Sequence, residues 1–277
     1  MDNPKTKVGI FLALTFLLSA ISWIPMLRSG DIGMGGGLYI LATMWCPGAA
    51  AIITRLVTQK NLRGMGWVPR TPALLLLAYV LPLLYALPVY AIVWGLDLGG
   101  FDPSRWQLEP GMSPLGGLLL IGSMGALMGL ISATGEEIGW RGLLVPELAK
   151  LTSLRNTALI SGLVWAIWHM PLMIGANYRS EDTPLLYSLA CFATMIVGLS
   201  FIMTWITVKS RSLWPAALLH ATHNLFVQGV FDSATVKGTT TSWWTGEFGI
   251  GLALAMAIAA ALLWRLNPSP GPDVQRT

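Results

Sequence analysis

The chain has 277 residues, 54% of them hydrophobic and only 11% charged, against about 25% charged in a soluble globular domain; mean hydropathy is +0.64. Seventeen basic and thirteen acidic side chains cannot cover a soluble fold of this size, so the composition excludes a soluble domain, a disordered chain and a disulfide scaffold, and indicates a multi-pass protein of the cell membrane. The formal charge of +4 is no nucleic-acid footprint, because the extra Lys and Arg of membrane proteins gather in cytoplasmic loops.

A hydrocarbon core about 30 Å thick needs roughly 20 apolar helical residues to cross it. Eight such stretches are predicted in chain order, at 8–27, 38–57, 72–95, 115–133, 156–175, 185–207, 213–230 and 246–266. They are long continuous runs and not alternating ten-residue strands, so the fold class is an all-α integral membrane protein and not a barrel. The first run follows Lys5 and Lys7 without a small-x-small cleavage site and is read as a retained span. With the N-terminus in the cytoplasm, 13 of the 17 basic residues fall inside, and Arg28, Arg105, Arg179 and Lys237 fall outside. That bias predicts both termini cytoplasmic.

Residues 1–114 then hold three spans without a motif, 115–232 hold every cluster of interest, and 233–277 hold the last span and a tail whose Asn-Pro-Ser-Pro-Gly-Pro run reads as disordered. Neither a soluble domain nor an internal repeat is evident. Cys46 and Cys191, isolated in apolar runs, read as packing residues. Gly125 and Gly129 read as close helix contacts, and Trp23, Trp264 and the Trp243–Trp244 pair as interfacial anchors.

Ionisable side chains within apolar spans cost several kcal/mol each and are therefore informative. Glu136, Glu137 and Arg141 close the fourth span; Trp165 and His169 lie in the fifth; His220, His223 and Asn224 lie in the seventh. Those two spans contain all three histidines of the chain. Glu137 and Arg141 are four apart and share a helix face, so they can pair, while Glu136 turns away toward the bundle interior. His220 and Asn224 share a face by the same spacing, and Trp165 lies one turn before His169 as an aromatic wall. A carboxylate and two or three imidazoles on separate helices are what activating a water molecule requires. Each cluster alone also has a bland reading: a solvated helix end for Glu-Glu-x-x-x-Arg, and an interhelical hydrogen bond for a lone histidine. The role of His223 stays open between cavity and support.

Glu136-Glu137-x-x-x-Arg141, Trp165-x-x-x-His169 and His220-x-x-x-Asn224, in this order on hydrophobic helices, resemble the CPBP intramembrane proteases, the type II CAAX prenyl endopeptidases or Abi family. The resemblance covers the fourth to seventh spans. One departure is Trp165, where the family usually has Phe. The resemblance implies an intramembrane metalloendopeptidase that cleaves a peptide or lipidated-protein substrate near the cytoplasmic face. It implies Glu136 as general base, His169 as holder of the water, His220 and Asn224 as the oxyanion site, and Glu137 and Arg141 as orienting groups. Glu136, His169 and His220 would suit zinc with water in the open position, and a metal-free glutamate-type peptidase is the other form of the same reading. A non-catalytic bacteriocin-immunity or scaffold protein is the competing function, with an ion-coupled transporter third.

One depth conflict remains in the sequence. His169 lies thirteen residues into its predicted span, about 20 Å, whereas Glu136 sits near the cytoplasmic end of its own. They can meet if the fourth helix continues past Arg141, or if the fifth begins earlier. A cavity sunk into the bilayer from the cytoplasm is the expected outcome.

Overall fold

The structure, a computed structural model, describes residues 3–266; the tail read as disordered lies outside them. Eight helices cover the eight predicted stretches. They are α1 (Pro4–Ser29), α2 (Leu38–Gln59), α3 (Pro72–Gly95), α4 (Pro114–Leu148), α5 (Leu154–Gly175), α6 (Leu185–Ser210), α7 (residues 214–232) and α8 (Ile250–Leu266). The first six are long and apolar enough to cross a membrane. Helix α7 carries His220, Thr222, His223, Asn224 and Gln228 in its middle, and α8 is a shorter apolar helix. The chain is a multi-pass, all-α membrane protein.

Local chemistry sets the ends. Asn3 caps α1, its side chain accepting from the Lys5 amide ahead of Pro4, and Gly30 ends that helix at φ 68°. Ser113 and Ser153 cap α4 and α5 in the same way. Helix α4 is continuous over 35 residues but widens into π turns at Ile121–Gly125 and Trp140–Leu144. Pro146 has no N–H for the Gly142 carbonyl, which is one reason the ladder slips at the second turn. Helix α7 widens likewise at Leu225–Asp232. One of these three π turns begins directly after Asn224 and another contains Arg141, a frequent placement for functional sites.

Successive helices run in opposite directions, and the connections segregate to two ends. At one end the Leu213 amide donates to the Gly66 carbonyl and the Trp214 indole to the Trp67 carbonyl, joining the α2–α3 and α6–α7 connections. At the same end buried Glu147 draws Lys150 to 2.9 Å, Arg55 to 3.1 Å and Lys7 to 3.6 Å. At the opposite end β1 (Gly99–Phe101) pairs antiparallel with β2 (Thr235–Lys237), joining the α3–α4 and α7–α8 connections. There the Asn177 amide reaches the Gly30 carbonyl at 3.0 Å.

Two expectations change with packing. Trp23 and Trp264 are buried, not interfacial: Trp23 packs on Phe16 and Trp168, and the Trp264 indole donates to the Phe201 carbonyl. An amphipathic ring can serve a helix contact as well as a headgroup boundary, and here helix contacts take it. Cys46 and Cys191 are free thiols.

Candidate active site

Helix α4 is held against α2 by glycine. A Cβ at Gly135 would lie 2.7 Å from the Met44 carbonyl oxygen, one at Gly48 2.6 Å from the Gly135 carbonyl oxygen, and one at Gly139 2.6 Å from Pro47. Backbones therefore touch along this seam, as small residues permit between membrane helices. Glu136 and Glu137 lie between Gly135 and Gly139, on the faces turned toward α5 and α7.

The predicted pair forms: Arg141 Nη1 lies 2.9 Å from Glu137 Oε1 with both side chains buried. The same oxygen accepts from His220 Nδ1 at 2.9 Å, so Glu137 joins α4 to α7 and sets the His220 ring, whose Nε2 is left for the site. The Arg141 guanidinium also lies over the Trp165 ring, 4.5 Å from its centroid.

Glu136 turns away from that pair, and the structure gives it partners of its own. Its Oε2 accepts from Trp165 Nε1 at 2.8 Å and from Trp140 Nε1 at 3.2 Å. Trp165 is thus a donor to the carboxylate as well as a wall, its ring 6.0 Å from His169 and 5.1 Å from His220. The Trp165 carbonyl accepts from His169 Nδ1 at 2.9 Å, which leaves Nε2 of that ring without the proton. His169 is boxed by Trp168 and Phe192, with centroids at 4.8 and 5.1 Å. The depth conflict resolves through the first alternative, because α4 continues as helix to Leu148.

Glu136, His169, His220, His223 and Asn224 all line one cavity of about 380 Å³. Its walls extend beyond residues 115–232, taking Thr43 and Met44 from α2 and Glu247 from the α7–α8 connection. Ile32, Tyr178 and Glu247 place its reach at the end of the bundle opposite the Glu147 cluster, and not at the end where the sequence analysis expected it. Toward the Glu147 end lie Met65, Trp140, Leu143, Leu144 and Leu213, all buried and none of them lining it.

Glu247 escaped the sequence reading. It lies 3.3 Å from His223 Nε2 and accepts from the Tyr178 hydroxyl at 2.9 Å. The other His223 nitrogen, Nδ1, shares a hydrogen bond with the Tyr85 hydroxyl at 2.7 Å. These contacts link His223 to α3 and to the α7–α8 connection. The signal was present: Glu247 is the single charged residue between Lys237 and Arg265, but it reads as a span boundary until the fold brings Tyr178 and His223 to it.

The donor chemistry for zinc is partly in place. His169 and His220 each engage Nδ1 on an oxygen acceptor, as metal-ligating histidines do. Yet among the described residues no three His, Cys, Asp or Glu side chains are grouped closely enough to hold a metal ion. The third donor, Glu136, is turned onto two indole N–H groups. As placed, the set does not fit a bound metal.

Residues 118–226 match the family described as type II CAAX prenyl endopeptidase Rce1-like, the stretch that holds all three motifs. The chain is also 27% identical over 237 residues to the CAAX prenyl protease 2 of Methanococcus maripaludis, a match spanning 80% of this chain and 83% of that protein. Motif order, convergence of the motif side chains on one cavity and both similarities agree in likening residues 118–226 to the type II CAAX prenyl endopeptidases.

Proposed function

We propose that Glu136 is the general base of peptide-bond hydrolysis in this cavity. Its Oε2 is fixed by two indole donors, so Oε1 is the oxygen to take a proton from water. That water, also held by the lone pair of His169 Nε2, attacks the carbonyl carbon. Asn224 Nδ2 donates to the resulting oxyanion, and His220, protonated on both nitrogens with Nδ1–H on Glu137, donates from Nε2 to the same oxygen. Removing a single oxyanion donor of this kind typically lowers kcat about 10²–10³-fold. Collapse of the intermediate breaks the C–N bond, and the proton taken by Glu136 passes to the leaving amine. Glu137 and Arg141 orient the set through the buried pair. The observation that carries this reading is the shared hold on Glu136 and His169 by Trp165, with both side chains lining one cavity.

Zinc on Glu136, His169 and His220 does not enter this proposal, because the three side chains are not grouped to hold an ion, and no step above passes through it. The relative's name specifies a prenyl CAAX substrate for that protein; a lipidated peptide is accordingly the first substrate class to assay here. The test is hydrolysis of internally quenched CAAX peptides, prenylated and unprenylated, by purified wild type, Glu136→Gln and His169→Ala. Both variants are expected to lose more than 10²-fold in rate while remaining folded. Full activity in Glu136→Gln removes the general-base assignment.

A further inference from the structure

The two ends of the bundle differ in charge as sharply as in access to the cavity. The three connections at the Glu147 end, residues 60–71, 149–153 and 211–213, hold Lys60, Arg63, Arg70, Lys150 and Arg211 and no acidic residue. The four at the other end, residues 30–37, 96–113, 176–184 and 233–249, hold seven acidic residues and three basic ones. All seven connections are short, the regime in which Lys and Arg fix orientation. The Glu147 end is therefore the cytoplasmic one.

The cavity belongs to the other end. It takes Ile32, Tyr178 and Glu247 from three of the four acidic-end connections and nothing from the basic-end connections. Glu136 is followed by twelve further residues of α4, ending with Leu148, about 18 Å of helix on the cytoplasmic side. On that side Met65, Trp140, Leu143, Leu144 and Leu213 are all buried, and none of them lines the cavity. Half-buried Ile32, Ile40 and Met44 form the rim on the acidic side.

We propose that this protease receives its peptide from the non-cytoplasmic face of the membrane. Its substrate class is then a peptide segment displayed in or beside the outer leaflet, and not a tail presented from the cytosol. The inference rests on the peptidase reading for the word substrate, whereas the sidedness of the cavity stands independently of it.

The experiment uses the full chain in a Cys46→Ala, Cys191→Ala background. Ile32→Cys at the rim, Met34→Cys exposed on the same connection, and Arg63→Cys at the basic end are each treated with a membrane-impermeant maleimide in right-side-out and inverted vesicles. Ile32→Cys and Met34→Cys are expected to label in right-side-out vesicles, and Arg63→Cys in inverted ones only. The adduct on Ile32→Cys is expected to lower peptide hydrolysis at least tenfold, and the adduct on Met34→Cys to lower it less. Reversed labelling overturns the side assignment, and Met34→Cys carries that result if Ile32→Cys does not fold. Full hydrolysis with the Ile32→Cys adduct in place overturns the entrance. A wild type that cleaves nothing defeats the peptidase reading alone, since labelling is read without it.

Discussion

The Trp165 indole nitrogen lies 2.8 Å from Glu136 Oε2, and this contact joins α5 to α4 at the centre of the site. Its companion, the Trp165 carbonyl on His169 Nδ1, makes one residue the holder of both base and imidazole. A hydrogen bond to a charged group contributes about 1.5–3 kcal/mol. Trp165→Phe keeps the aromatic wall and the carbonyl and removes only the N–H. Since Trp140 still donates, kcat is expected to fall about tenfold, with thermal unfolding little changed. An unaltered kcat shows that the indole bond has no part in catalysis.

Asn224 reaches the cavity from the face of α7 that also carries His220. Asn224→Ala is expected to lower kcat roughly 10²–10³-fold with KM nearly constant, the signature of a donor used in the transition state. Equal losses in kcat and folded yield would make it a packing residue instead.

Arg141 and Glu137 are a buried pair shared with His220. Removing one partner of such a pair leaves an uncompensated charge at about 3–5 kcal/mol. Arg141→Leu is therefore expected to reduce folded protein recovered in detergent far more than Glu136→Gln does, measured by thermal unfolding. Comparable stability of the two variants contradicts a structural role for the pair.

The α2–α4 seam can be tested with a single methyl group. At Gly135 the added Cβ meets the Met44 carbonyl oxygen at 2.7 Å, whereas at Gly129 the nearest atom is 3.4 Å away. Gly135→Ala is expected to destabilise by about 1–3 kcal/mol and to displace the adjacent Glu136, lowering activity as well. Gly129→Ala is expected to be mild in both respects, and the comparison fails if the two variants behave alike.

Metal analysis of the purified wild type, followed by extended dialysis against a chelator, separates the two forms of the mechanism. With Glu136 held by two indoles and the donors not grouped, activity is expected to persist without stoichiometric metal. About one zinc per chain, with activity lost on chelation and restored by zinc, would assign Glu136, His169 and His220 to the metal.

How much of the site was legible follows from the range of each contact. Glu137 and Arg141 are four apart on one helix, so their pairing is a local matter that helical periodicity reveals. Glu136 and Trp165 are 29 residues apart, and His223 and Tyr85 are 138 apart. No periodicity reports such pairs. Trp165 could be read as a wall from its spacing to His169, but its indole donor acquires a meaning only when α4 is found across from it.

The amino-acid order by itself determined that the chain builds apolar helices, where most of them start and stop, and which polar residues are buried among them. Twenty-residue apolar runs, proline and serine caps and the expense of charge in hydrocarbon are all local or compositional signals. Tertiary structure alone decided that two indoles seize Glu136, that Glu247 joins the cavity wall and that the cavity reaches the acidic end. Periodicity shows which face of a helix turns inward but not which neighbour it meets, and the close approach of α2 to α4 with the uninterrupted length of α4 settled both the depth and the side.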